Sequence, residues 1–409
     1  MRFHRYSVLT IPALALSAGL LACGTGRAAS TAVRSDSAGV EIVSNPGPDR
    51  TLALPVTPSD TIIDPAVDTA LQGEARGVQV GADAAGRLVF VDGGFADRRV
   101  LRQEQDGTIH QVGRRGGGPG EYQMVGGVGV SPDGELLVVD YSKQGFVRFD
   151  GNDRPLPLIP WSLFGRGFSR AGGYYGGGLV VQRYDMPGGG REAPVPGPDA
   201  RPVQVLHFAG PVDTLRVAEV TEPPMKMMMF EQCHVGFAQP PLFFPSLQWT
   251  GNAELLAVVH DGSYRIDVWK GGRWVRSIRR DLPPRVATDA LALQELGEGQ
   301  RISVGGGPPC LIPAADILEK QGRAESVPAI RRLSMAADGT LWVERYTVKG
   351  ETPLRDIFDP SGAYLGTLAG DIPWPQAWLP DGRYVSVGAD ADSLPVVVRY
   401  AVGGGVRAE

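Results

Sequence analysis

One short unit recurs six times along the chain and limits the possible folds more than any other feature. A turn of small or polar residues runs into a β-branched or aromatic stretch. It appears in DAAGRLVFVD through Gly86, SPDGELLVVD through Gly134, YYGGGLVVQRY through Gly177, TGNAELLAVVHD through Ala253, AADGTLWVERY through Gly339 and LPDGRYVSVGA through Gly382. Asp-Gly and similar pairs tolerate positive φ, and the flanking stretches carry strand-favouring side chains, so each unit reads as a hairpin. A second hairpin signal often follows, as in VLRQEQDGTIHQVG, YRIDVWKGGRWVRSIRR and DIFDPSGAYLGTLAG. Each unit therefore supplies about four strands, the content of a propeller blade.

The six anchors are 48, 43, 76, 86 and 43 residues apart, and three of these spacings match the roughly 40–50 residues expected of a propeller repeat. The two long intervals contain no further unit, so they hold insertions, at about 186–202, 222–244 and 283–327. The last insertion has the only helical patterning in the chain, in TDALALQELGEGQ and PAADILEKQGRAES, with Thr288 or Asp289 as N-cap of the first. The predicted fold is all-β: a six-bladed β-propeller of four-stranded antiparallel blades with a small helical and loop insertion, spanning 39–409. The last unit runs into Gly403-Gly404-Gly405 without a fourth strand, whereas GVEIVSN (39–45) is an orphan strand near the other terminus. The expectation is that 39–45 completes the final blade and closes the ring.

Composition agrees with this reading. The 56 Gly and 34 Pro suit many tight turns, while 43% hydrophobic and 21% charged residues exclude a disordered chain. A formal charge of -5 with no basic block excludes a nucleic-acid binder.

The N-terminus reads as an export signal. Arg2, His4 and Arg5 precede an apolar run from Val8 to Ala22, and no acidic residue appears before Asp36. Leu20-Leu21-Ala22-Cys23-Gly24 resembles the lipobox of bacterial lipoproteins, which implies cleavage after residue 22 and lipidation of Cys23. Residues 23–38 then form the lipidated cysteine and a flexible tether. The chain is expected to be exported and lipid-anchored in the bacterial envelope, in the outer membrane, as a monomer.

Further stretches carry a family resemblance. Ser37-Ala38-Gly39-Val40-Glu41-Ile42-Val43, Gly113-Arg114-Arg115-Gly116-Gly117-Gly118-Pro119-Gly120-Glu121-Tyr122 and Leu341-Trp342-Val343 look like the 6-bladed β-propeller lipoproteins, relatives of NHL-repeat propellers. The resemblance covers most of 37–402 and implies fold and compartment; the family has no common catalytic chemistry.

Few residues suggest chemistry. GRRGGGPGEY could bring backbone N–H groups to an anion. It lacks the Lys-Ser/Thr end of a P-loop and a following helix, so a connection between blades fits better, with Arg114, Arg115, Glu121 and Tyr122 available to line a rim. Met227, Met229, Cys233 and His234 are soft or borderline donors of the kind that bind copper, although such a Met-rich stretch can equally be packing. Cys233 and Cys310, left after Cys23, lie in the two long insertions and could form a disulfide in an oxidising compartment. The mature chain has only His110, His207, His234 and His260, scattered over different units, with no HExxH, GxSxG or CxxC spacing. His260 is the one histidine at a repeat-strand end, and Asp92 and Asp140 at such ends read as turn caps. No cofactor is expected, with calcium and copper the ions left open. Two function classes follow: a non-catalytic lipoprotein whose propeller face binds a protein, peptide or glycan, or a propeller hydrolase or lyase with a metal-dependent site at the channel mouth.

Overall fold

The computed structural model describes residues 32–66, 70–71, 73–93, 97–160, 166–175, 178–185, 201–207, 213–220, 226–302 and 309–403. The signal segment, Cys23 and most of the insertion at 186–202 lie outside the described residues. So does the third anchor, Gly177. Among the described residues no helix is long and apolar enough to cross a membrane.

The chain is an all-β propeller. Its repeats form antiparallel sheets whose first strands surround a central channel. In chain order the four-stranded units begin with Gln79–Ala82, Leu88–Asp92, Arg99–Gln103 and Ile109–Gln111, followed by Val125–Val130, Leu136–Asp140, Gly145–Phe149 and Pro155–Pro160. The fourth, fifth and sixth repeats give sheets built on Gln248–Gly251, Ile330–Met335 and Ala377–Trp378. The third repeat differs. It forms two two-stranded ladders, Arg166–Tyr175 with Gly178–Asp185 and Arg201–His207 with Asp213–Val220. Among the described residues, five sheets therefore have four or more strands, against the six expected. The departure falls on the repeat whose turn is Gly-Gly-Gly and whose hairpin leads into the Pro/Gly insertion.

The second strand of the first and second repeats is buried on both faces, which explains its unbroken apolar run. Leu88–Asp92 and Leu136–Asp140 are buried at every position. Alternation along such a strand sends Val89 and Val91 into a core shared with Val128, Val138 and Phe149 of the next unit. Leu88 and Phe90 enter another core with Val385 and Val397 of the last unit and Ile63. Asp92 and Asp140 have the capping role expected of them. Asp92 Oδ1 accepts from Gly73 N at 2.8 Å, and Asp140 accepts from Gln123 N at 2.7 Å and Ser142 N at 2.9 Å.

Ring closure is made by an N-terminal strand, but not by 39–45. Val40–Asn45 runs parallel to Arg273–Arg280, with Val43 opposite Ile278, so it extends the outer edge of the fourth repeat's sheet. Val33–Ser37, within the stretch expected to be a flexible tether, pairs antiparallel with Val40–Asn45 and makes that sheet six-stranded. The chain then crosses the fifth repeat. Tyr364 N donates to Asn45 Oδ1 at 2.8 Å, Thr367 N donates to Arg50 O at 2.7 Å, and Leu52 N donates to Thr367 O at 3.0 Å. Val56–Ile63 finally pairs antiparallel with Pro395–Val402 and supplies the missing outer strand of the last unit. The N-terminal segment is thus a strap over three consecutive sheets.

The last insertion contains both helices. Helix α1 (Asp289–Leu296) is capped by Thr288, whose Oγ1 accepts from Leu291 N at 3.2 Å, as its sequence predicts. Helix α2 (Ala314–Gln321) has Asp316 in its first turn and Lys320 in its last, both favourable to the helix dipole.

Candidate binding site

The inner strands enclose a cavity of about 740 Å³ along the channel. Its lining includes Gln79, Asp83, Asn252, Ser334, Asp338 and Gln376, with Trp249 and Trp378. The repeat places Asp83, Asn252 and Asp338 here because its turn follows the first strand of the unit, whereas Gln79 and Ser334 stand on first strands themselves.

Most of these groups are already committed to the fold. Asp83 Oδ1 accepts from Ala85 N and Arg87 N, both at 2.9 Å, while Oδ2 pairs with Arg87 Nε at 2.7 Å. Asn252 Oδ1 accepts from Leu255 N at 2.8 Å, and Asp338 Oδ1 accepts from Thr340 N at 2.9 Å. Gln376 Oε1 accepts from Val387 N at 2.7 Å. Ser334 Oγ accepts from Trp378 Nε1 and donates to Pro375 O, both at 2.9 Å. No histidine lines the cavity among the described residues.

The glycine-rich stretch is a connection between the first and second repeats. Arg114–Arg115 pairs in parallel with Glu121–Tyr122. Glu121 accepts from Gly118 N and Arg114 Nε, both at 2.7 Å. The Gly118 N–H, followed by Arg114, holds its carboxyl below the usual range. Tyr122 is buried in the core shared by these units, its OH accepting from Val100 N at 3.1 Å, and burial raises its pKa. Gly113 is required here: its φ is +67°, and a Cβ would lie 2.8 Å from Gly120 O. Arg114 and Arg115 are exposed, so of the four candidates only the two arginines face solvent freely.

His260 lies at the end of Leu255–Val259, as expected, with Nδ1 3.6 Å from Asp267 Oδ2. That separation is beyond a hydrogen bond. Asp267 is instead bound by Arg265 through two contacts at 2.8 and 3.0 Å.

The soft-donor set is divided. Alternation along Lys226–Phe230 leaves Met227 and Met229 exposed and buries Met228 with Phe230 against Ile312 and Ile317. Cys233 is joined to Cys310 with Cα atoms 5.6 Å apart, so it offers no thiolate. His234 occupies the left-handed position that ends the adjoining turn. The disulfide connects the Lys226–Phe230/Val235–Gln239 hairpin to the Gly299–Ile302/Cys310–Pro313 hairpin. In the chain-entropy account a loop of this length contributes about 4–5 kcal/mol. The Cys233→Ser/Cys310→Ser variant is expected to lower the urea midpoint accordingly and to gain no mass on reduction. The parent should gain two hydrogens.

Two arrangements have no signature in sequence. Glu104, His110 and Asp153, from two different repeats, bring one donor atom each within 4.8 Å of one another. Asp49 of the strap joins buried Arg280 and Asp356 and largely buried Arg345 in an ion cluster. Partners so far apart in the chain leave no spacing motif to detect.

No family model matches the chain, and no curated protein matches it in sequence. Among solved structures, an exported protein from Bacteroides fragilis is similar with a TM-score of 0.48 and 12% identity, over 89% of this chain and all of that one. A member of the duf4221 family from Bacteroides vulgatus gives 0.44 and 8%, over 88% and 99%. A gluconolactonase from Xanthomonas campestris gives 0.35 and 15%, over 87% and 99%. At such values none of them says what this chain does.

Proposed function

We propose that this chain is an exported lipoprotein, lipidated at Cys23 and held in the bacterial cell envelope, whose propeller binds a protein, peptide or glycan without transforming it. On this reading the ladders at 166–185 and 201–220 together form a sixth blade, in keeping with the resemblance to 6-bladed β-propeller lipoproteins. One observation carries the binding reading. Asp83, Asn252, Asp338 and Gln376, which line the channel, are engaged by the backbone of their own turns or of neighbouring strands, rather than converging on a point where a metal or substrate would sit. A cavity of about 740 Å³ bordered by Gln79 and Trp378 suits recognition by amide and aromatic contacts.

The test is affinity capture from envelope membranes, using the mature chain and a Gln79→Trp variant that adds bulk in the channel. The parent is expected to retain a ligand that the variant loses at least tenfold, with unchanged thermal melting. Turnover of a lactone or glycan by the parent, abolished by a chelator, would overturn this reading in favour of the hydrolase or lyase.

A further inference from the structure

We propose that Glu104, His110 and Asp153 form a site for one divalent transition-metal ion of the zinc class, clamping the first repeat to the second. The site lies outside the channel lining and does not depend on the channel's ligand. Glu104 follows strand Arg99–Gln103, and His110 lies in the next strand, Ile109–Gln111. Asp153 lies in the turn between Gly145–Phe149 and Pro155–Pro160 of the neighbouring repeat. The three donor atoms fall within 4.8 Å of one another, with His110 Nε2 2.7 Å from Asp153 Oδ2.

A support shell is built beneath these ligands. Asp153 Oδ1 lies 3.0 Å from Arg102 in an ion pair, while Oδ2 contacts His110. Arg102 is itself fixed, 1% exposed, by donation to Gly134 O at 3.0 Å and Gly151 O at 3.2 Å. Metal-binding carboxylates are commonly oriented by outer partners, and losing them weakens binding. The His110 side chain is 40% exposed, which gives an ion access.

Charge and donor type select the class of ion. Arg87 pairs with Asp83 at 2.7 Å and lies 3.8 Å from Glu104. With Arg102 and Asp153 included, the surroundings sum to a single negative charge. Calcium, which seeks six to eight oxygens and dense negative charge, is poorly served. An imidazole with two carboxylates instead suits zinc and its neighbours, with water completing the shell. Zinc–ligand distances near 2.0–2.2 Å place two tetrahedral ligands about 3.3 Å apart, so the His110–Asp153 contact need open only by roughly half an ångström.

The experiment is competition for zinc between the full mature chain and a chromophoric chelator, with calcium as control. It is paired with electron paramagnetic resonance of the copper(II)-loaded protein. The parent is expected to take up one zinc at micromolar concentration and to show nitrogen coordination of copper. His110→Gln and Glu104→Gln should each weaken zinc binding at least tenfold, His110→Gln should remove the nitrogen signature, and His234→Gln should change neither. Absence of uptake at micromolar zinc by the folded parent would overturn the proposal. So would parental uptake by both ligand variants, or loss of uptake in His234→Gln.

Discussion

Asp356→Ala is expected to destabilise the propeller by about 3–5 kcal/mol, the usual consequence of leaving a buried charge without its partner. Asp356 is fully buried and accepts from Tyr264 Oη at 2.6 Å, Thr367 Oγ1 at 2.6 Å, Arg280 at 3.1 Å and Arg345 at 2.7 and 2.9 Å. Burial alone would lower the pKa of Arg345, but hydrogen bonds to Asp49 and Asp356 outweigh it and hold it above its ordinary value. Burial, reinforced by Asp356, pushes the Tyr264 phenol well above its usual range. Without Asp356, the one carboxylate left to Arg280 and Arg345 in this cluster is Asp49, whose side chain is 44% exposed, and Arg280 also lies over the Tyr364 ring at 3.9 Å. Asp49→Ala is the control, since a partly exposed pair contributes about 1 kcal/mol or less. Urea melts at neutral pH should show a much larger midpoint shift for Asp356→Ala. Equal shifts would mean that the cluster does not hold these repeats together.

The second large effect concerns the strap. A chain beginning at residue 65 is expected to lose cooperative folding and aggregate, whereas one beginning at residue 46 should fold with a lower melting temperature. The shorter truncation removes the two strands added to the fourth repeat's sheet, along with buried Val40 and Val43, and burial of such a side chain is worth about 1.5–3 kcal/mol. It leaves closure intact. The longer truncation also removes Val56–Ile63, takes Ile63 from the core it shares with Leu88, Val385 and Val397, and opens the whole of Pro395–Val402 as an unpaired edge. Size-exclusion chromatography with thermal melting separates the two outcomes. If both chains melt alike, Val56–Ile63 does not close the ring.

The contrast between these truncations shows where sequence reading stopped. The turn-and-strand unit was legible because its causes are local: positive φ at the turn glycine and an apolar run buried on both sides. The helix cap at Thr288 was legible for the same reason. Alternation in Val40–Asn45 says that the strand has a buried face, but not which edge it joins, because backbone hydrogen bonds are offered alike by every outer strand. Val33–Ser37 is polar and exposed throughout, so nothing in its side chains separates it from a tether, and only pairing with Val40–Asn45 makes it a strand. Cys233 and Cys310 could be matched from their number and compartment. Met227 and Met229 are set apart from Met228 in sequence, and strand alternation leaves those two exposed and Met228 buried. Asp153 and His110 meet through the stacking of two repeats, which no spacing within one repeat encodes.

The strap also governs the order in which this chain can fold. Its partners are Arg273–Arg280, Tyr364–Ala369 and Pro395–Val402, so a segment synthesised before all of them must wait for them to find its place. Contacts across such sequence separations slow folding, because the loop must be closed before the pairing is gained. Until Pro395–Val402 emerges, the ring is incomplete and Val56–Ile63 has no neighbour. A nascent chain of this design cannot close its ring until Pro395–Val402 is available to pair with Val56–Ile63.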